Sequence, residues 1–256
     1  MADLLSHLSW PRLRRLYQLA CLLPGLALPA LASSAPVLYV NDVAPFAYLA
    51  DGKPTGLVVE VLEQLAARSG TPASIELLPF KRLSAQMHAT PNAFGAVWRQ
   101  PENEAAYTWI TRLFAENMML VARSDSKVDV SSPEAARQLR VGVLLGSPAE
   151  AIARRRGFTH IDTARTAAGT AQKLKMGRID VWIAVPSVVA AGQAQIGEPR
   201  ARVRYGAALE EVAMYLACAH ACDEADMRRW KDAAQAMHRD GSYARILRKY
   251  QATAAP

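Results

Sequence analysis

The run Val141-Gly142-Val143-Leu144-Leu145-Gly146-Ser147-Pro148-Ala149-Glu150-Ala151-Ile152 carries the clearest strand-to-helix switch in the chain. Residues 140–144 are β-branched or aliphatic and predict a strand. Gly146 breaks the run, Ser147 stands where a helix N-cap belongs, and Pro148 fills the first helical position, where its missing N–H costs nothing. Ala149, Ile152 and Ala153 carry the helix onward. Such a turn aims free N–H groups and the positive end of the helix dipole at one point. It reads either as a seat for an anion or as an ordinary turn with a good cap. It is not a phosphate-cradling P-loop, because no Lys follows Gly146.

The same rhythm continues downstream. Strands are predicted at 158–162 and 179–185, with helices near 148–155, 166–176 and 186–195. It also runs once upstream. A strand at 36–40 ends in a loop at Pro45 and Phe46, and Asp51-Gly52 makes a turn. A helix follows at about 57–68, with Leu57, Val58, Val61, Leu62 and Leu65 on one face and Gly70 as its stop. Next come a strand at 73–78, a short helix carrying Phe80, Leu83 and Met87, and a strand at 94–98. A strand at 118–122 precedes a polar stretch, and a late strand covers 212–219. Asp223 caps a helix with Met227, Trp230, Ala234 and Met237 on one face. A last amphipathic helix holds Tyr243, Ile246, Leu247 and Tyr250. Two βα sets of similar length predict an α/β fold with two lobes, and the crevice between lobes is the natural ligand site.

Residues 1–32 read as a secretory signal peptide. Arg12, Arg14 and Arg15 form the basic region, 16–28 the apolar region, and Ala30-Leu31-Ala32 the cleavage pattern. Gln18-Leu19-Ala20 before Cys21 is a poor lipoprotein signal. The whole chain of 256 residues carries a net charge of +7, which suits acidic solutes or an anionic surface only weakly. Its basic residues are scattered without interleaved aromatics, so nucleic acid is not an expected partner. Cys218 and Cys222 flank Ala219-His220-Ala221. In an oxidising compartment they are a possible disulfide, provided the chain turns there. No metal motif, nucleophile elbow or cofactor fingerprint is present, so no metal, cofactor or catalytic residue is expected.

Several short motifs fall in a known order: Pro45-Phe46, Gly56-Leu57-Val58-Val59-Glu60-Val61, Pro79-Phe80-Lys81-Arg82, Arg99-Gln100-Pro101-Glu102-Asn103-Glu104 and Tyr107-Thr108-Trp109-Ile110. After the strand–Gly–Ser turn come Leu174-Lys175-Met176-Gly177-Arg178-Ile179-Asp180 and a terminal Asp240-Gly241-Ser242-Tyr243. The chain thereby resembles the extracellular solute-binding proteins of family 3, the periplasmic receptors of polar amino-acid-type ABC transporters. The resemblance implies the type II periplasmic-binding fold: lobe 1 from 35–112 plus 215–256, lobe 2 from 118–210, and hinge crossings at 113–117 and 211–214. It implies hinge closure on a small-molecule solute, a membrane permease as partner, a periplasmic location and a monomer.

Carried over residue by residue, the resemblance exposes two departures. Members that bind amino acids clamp the α-carboxylate with an Arg where this chain has Asn103, and pair the α-ammonium with an Asp where counting from Asp180 reaches Val185. Asn cannot replace a bidentate guanidinium and Val cannot pair with an ammonium, which argues against an ordinary α-amino acid. Arg99, four residues before Asn103, is the expected substitute cation. Ser147 matches the family's anion-binding hydroxyl, with helix capping as the alternative. Phe46 and Phe80 are expected to line the crevice, Tyr48 to share the Phe46 wall, and Trp98 to cover the ligand. Trp182 reads as core and Asp180 as structural. The expected function is capture of a small polar or anionic organic solute for delivery to an ABC transporter. A sensing module, an enzyme on the same fold and a ligand-free interaction domain are the alternatives.

Overall fold

The computed structural model describes residues 36–219 and 222–254. The chain runs β1 (Val37–Asn41), a hairpin of β2 (Tyr48–Ala50) and β3 (Lys53–Thr55), α1 (Leu57–Ser69), β4 (Ser74–Leu78), α2 (Phe80–Ala89) and β5 (Phe94–Arg99). A long strand β6 (Tyr107–Arg123) and a single turn α3 (Pro133–Ala136) lead to the second set. That set is β7 (Arg140–Leu144), α4 (Pro148–Arg155), β8 (His160–Ala164), α5 (Ala167–Lys175), β9 (Val181–Ala184) and α6 (Pro186–Gln195). A second long strand β10 (Val203–Ala219) returns the chain to α7 (Glu224–Arg239) and α8 (Ser242–Ala254).

The two βα sets are the two ends of one eight-stranded sheet, ordered β4-β1-β5-β10-β6-β9-β7-β8. At one end β1 lies parallel to both β4 and β5. At the other β7 lies parallel to both β8 and β9. Each set thus places its first strand between its second and third. Between the sets run β6 and β10, antiparallel to each other and 17 residues long. This is the two-lobed α/β arrangement of type II periplasmic-binding proteins.

The central strands are much longer than the expected 118–122 and 212–219. Four register shifts along β10 against β6, at Tyr205/Ala208, Ala208/Glu210, Met214/Tyr215 and Leu216/Ala217, break the two-residue alternation by which a strand is recognised. The segments expected to cross between lobes pair directly with each other. Asn117 faces Glu211, Glu116 faces Val212, Ala115 faces Ala213 and Phe114 faces Met214.

Helix α1 forms because Leu57, Val58, Val61, Leu62 and Leu65 share the face it buries, and it stops at Gly70, whose φ of 68° is left-handed. Asp223 caps α7 by accepting from the Ala225 and Asp226 N–H groups at 2.8 and 2.9 Å. Trp230 and Met237 of α7 pack into the same core as α1. Trp182 is fully buried, consistent with its reading as core. Cys218, opposite Phe94 at the end of β10, is paired with Cys222, with Cα atoms 6.3 Å apart. The signal peptide expected at 1–32, with Cys21, and the His220-Ala221 turn lie outside the described residues. Among the described residues no helix is long and apolar enough to cross a membrane.

Candidate functional site

The ends of the parallel strands meet at one apolar cavity. Val43 and Phe46 follow β1, Phe80 follows β4 and Trp98 lies near the end of β5. From the other set come Leu144 at the end of β7, Ser147 after it, and Val185 and Val188 after β9. The apolar space is about 40 Å³, room for about three waters at most. Phe46 and Trp98 are rigidly held. Phe46 stacks on Phe114 at 4.7 Å, and Trp98 meets Phe46 and Phe114 edge-on at 5.4 and 5.3 Å. Phe46, Phe80, Trp98 and Ser147 are therefore brought together. Tyr48, in the β2–β3 hairpin, is not among the lining residues.

Arg99 is not among them either. Its side chain is drawn instead toward a neighbouring carboxylate and two aromatic rings. Arg99 lies over the rings of Trp109 and Tyr215, 5.3 and 5.2 Å from their centroids. Its guanidinium donates to both Glu104 carboxylate oxygens, at 2.8 and 2.5 Å. Asn103 stands beside the cleft, but its own turn uses its amide. Oδ1 accepts from the Gln100 N–H at 2.9 Å and Nδ2 donates to the Trp98 carbonyl at 2.9 Å.

The turn after β7 is self-satisfied as well. Ser147 occupies the N-cap position, yet its hydroxyl donates back to the Leu144 carbonyl at 2.7 Å and caps nothing. Glu150 reaches back instead, and its carboxylate accepts from the Gly146 N–H at 2.6 Å. Partial burial pushes the Glu150 carboxyl up. The Gly146 N–H, the Arg154 guanidinium and nearby Lys81 outweigh that and hold it below the usual range. The anion at this helix start is thus the protein's own. Gly146 is left-handed (φ 75°), and a Cβ there would come within 3.1 Å of Lys81 Cγ and 3.3 Å of Phe80 Cβ. The two βα sets are already in contact at this point.

A larger cavity of about 410 Å³ shares Phe80, Trp98, Ser147 and Pro148 with the apolar one and is more polar, with Asn41, Ser84, Gln100 and Tyr107 in its wall. Gln100 donates through Nε2 to the Arg99 carbonyl at 3.0 Å, which fixes the orientation of its amide. Its side chain also takes part in the capping box that this turn forms with Asn103. Glu102, at the rim, accepts from Arg155 of α4 at 2.5 Å, and Arg155 also donates to Glu210 at 2.6 Å. That bridge joins the turn after β5 to the opposite βα set. Neither Glu150 nor Arg155 was singled out from sequence. A Glu three residues after an N-cap is the capping-box signal that would have flagged Glu150.

The chain matches the bacterial extracellular solute-binding proteins, family 3, over residues 36–253. No curated protein matches it. Among solved structures it is similar to a histidine kinase sensor domain with similarity to periplasmic binding proteins (TM-score 0.77, 15% identity, 85% of this chain and 96% of that one). It is also similar to a mutant of ArgBP from T. maritima (TM-score 0.73, 16% identity, 84% and 95%). A third similar structure is AncCDT-1, an ancestral amino acid-binding protein described as a precursor of cyclohexadienyl dehydratase (TM-score 0.69, 19% identity, 84% and 95%). At these identities the structures speak for the fold alone.

Proposed function

The chain belongs to the bacterial extracellular solute-binding proteins, family 3, and from that premise we propose that it captures a small organic solute in the cleft between its two βα sets. The observation that carries this reading is the cavity built at once by Phe46, Phe80 and Trp98 from one set and Leu144, Val185 and Val188 from the other. The walls favour a solute with an apolar part against these residues and a polar part toward Asn41, Ser84 and Tyr107 in the adjoining cavity. An anionic head has less support, because Arg99 is held by Glu104 and the Gly146 N–H by Glu150.

The apolar space of about 40 Å³ is too small for such a solute as it stands. Entry therefore requires the lobes to part, with 113–117 and 211–214 as the pivot. The lobes themselves are 35–112 with 215–256, and 118–210. The protein works outside the cytoplasm as a monomer and hands unchanged solute to the permease of an ABC transporter, without catalysis. The sensor-domain neighbour favours a second reading, in which the closed form engages a signalling receptor instead. Stimulation of a reconstituted permease's ATPase separates the two.

The direct test is a thermal-shift screen of the protein against neutral, anionic and cationic organic solutes, with Phe80→Ala beside it. A solute that binds only the folded state raises the Tm. The expected hits are neutral or donor-bearing compounds with an apolar part, and Phe80→Ala shrinks their shift. Hits confined to α-amino acids or simple carboxylates would overturn the ligand class. A shift unchanged in Phe80→Ala would overturn the site.

A further inference from the structure

Phe46 also lines a separate cavity of about 230 Å³, walled by Leu57, Phe114, Tyr243 and Leu247. Glu116 of β6, within the proposed pivot, borders it. The Glu116 Oε2 accepts from the Ser187 hydroxyl at 3.0 Å and the Ser187 N–H at 3.3 Å, at the start of α6. Oε1 accepts no hydrogen bond among the described residues. The cationic side chain in the cavity wall, Arg112, is held by Glu211 at 2.8 Å, and Glu116 has no cationic partner among the described residues. Burial pushes the Glu116 carboxyl above the usual range, and the two Ser187 donors only partly oppose it. Capping of α6 explains Oε2. It leaves Oε1, the enclosed space and the aromatic walls without a role.

We propose that this cavity is a second binding site, for a small organic ammonium with an apolar tail. The ammonium donates to Glu116 Oε1, and the tail packs against Phe46, Tyr243 and Leu247. The ligand's charge neutralises a half-buried carboxylate that has no cationic partner among the described residues, and the neighbouring aromatic rings attract a cation further. A carboxylate ligand would meet like charge, and a neutral alcohol would leave Glu116 without a counter-charge. This site shares only Phe46 with the cavity proposed for the solute.

The test is calorimetric titration of the protein with 2-phenylethylammonium, 2-phenylethanol and 3-phenylpropanoate. The amine is expected to saturate a site and bind at least about ten-fold more tightly than the other two. Glu116→Gln should reduce its affinity to that of the alcohol. Leu247→Trp keeps the carboxylate but fills the cavity and should abolish binding. Phe80→Ala, altered only in the cleft, should leave the amine's affinity unchanged, and thermal melting checks that each variant is folded. Equal affinity for amine and alcohol would overturn the proposal, as would binding retained in folded Glu116→Gln or Leu247→Trp, or no saturation at millimolar amine. Loss of amine binding in Phe80→Ala would place the amine in the cleft. That outcome sinks this site and leaves the cleft reading standing.

Discussion

Trp98 and Arg99 are neighbours at the end of β5, yet only Trp98 lines the apolar cavity. The Arg99 guanidinium is spent on Glu104, Trp109 and Tyr215. Arg99→Ala is therefore expected to lower the Tm slightly and to leave solute-induced shifts intact. A lost shift in a thermal-shift assay would put Arg99 back into the site. Asp180 makes the opposite case. Its carboxylate accepts from the Arg140 N–H and Nε at 3.0 Å and from Nη2 at 2.6 Å, tying the turn before β9 to the start of β7. The Arg140 hydrogen bonds hold its carboxyl below the usual range. A depressed folded value means that its stabilisation is present above the ordinary carboxylate range and fades as the pH falls through the folded value. Asp180→Asn should lower the Tm at neutral pH, with the gap to wild type narrowing on acidification. Alternation was legible in the sequence, but it does not sort residues at a strand end, where neighbours such as Val97 and Trp98 line one cavity together. The partners Tyr215 and Arg140 were not legible as contacts, because each depends on strand register, and Glu104 depends on the geometry of the turn after β5.

At the scale of elements, legibility followed punctuation. Helices α4 and α6 begin and end where they were read, because Pro148 and Pro186 mark the first helical position of each. The central strands carry no such marks. Their bulges scramble the apolar–polar alternation, so only their later parts read as strand. The hairpin β2–β3 was legible only as its Asp51-Gly52 turn. Its three-residue strands are too short to show a period. One glycine secures the junction between that hairpin and α1. Gly56 has φ 131°, and a Cβ there would lie 2.4 Å from the Phe46 carbonyl oxygen. Gly56→Ala should cost roughly 3 kcal/mol or more, through strain and displacement of the Phe46 wall. Denaturant unfolding measures it, and a change below about 1 kcal/mol would show that the loop yields freely.

On the scale of the whole molecule, the two-lobed architecture was legible from the repeated βα rhythm and the order of the motifs. What holds the lobes together was not. Glu102 and Arg155 are 53 residues apart in sequence, and no local pattern links them. Their bridge is half-exposed, so it is worth about 1 kcal/mol or less, yet it acts directly on the balance between closed and parted lobes. Arg155→Ala is expected to enlarge the radius of gyration of the solute-free protein in small-angle scattering. Added salt should do the same to the wild type by screening the pair. An unchanged scattering curve in both would mean that apolar contacts at Phe80 and Gly146 alone keep the lobes together.

The pairing of Phe114–Asn117 with Glu211–Met214 also limits how the lobes can move. Two hydrogen-bonded antiparallel segments flex readily out of their common plane, because bending leaves the ladder intact. Sliding one along the other would break several backbone hydrogen bonds at once, each worth about 1 kcal/mol net and more where the broken groups stay buried. The opening proposed above would therefore favour bending or twisting of this ribbon over sliding, like the flexing of a leaf spring, and would return the same strand ends to register. A cleft that reassembles identically after each opening can select its solute by shape, with no moving loop needed to re-form the walls.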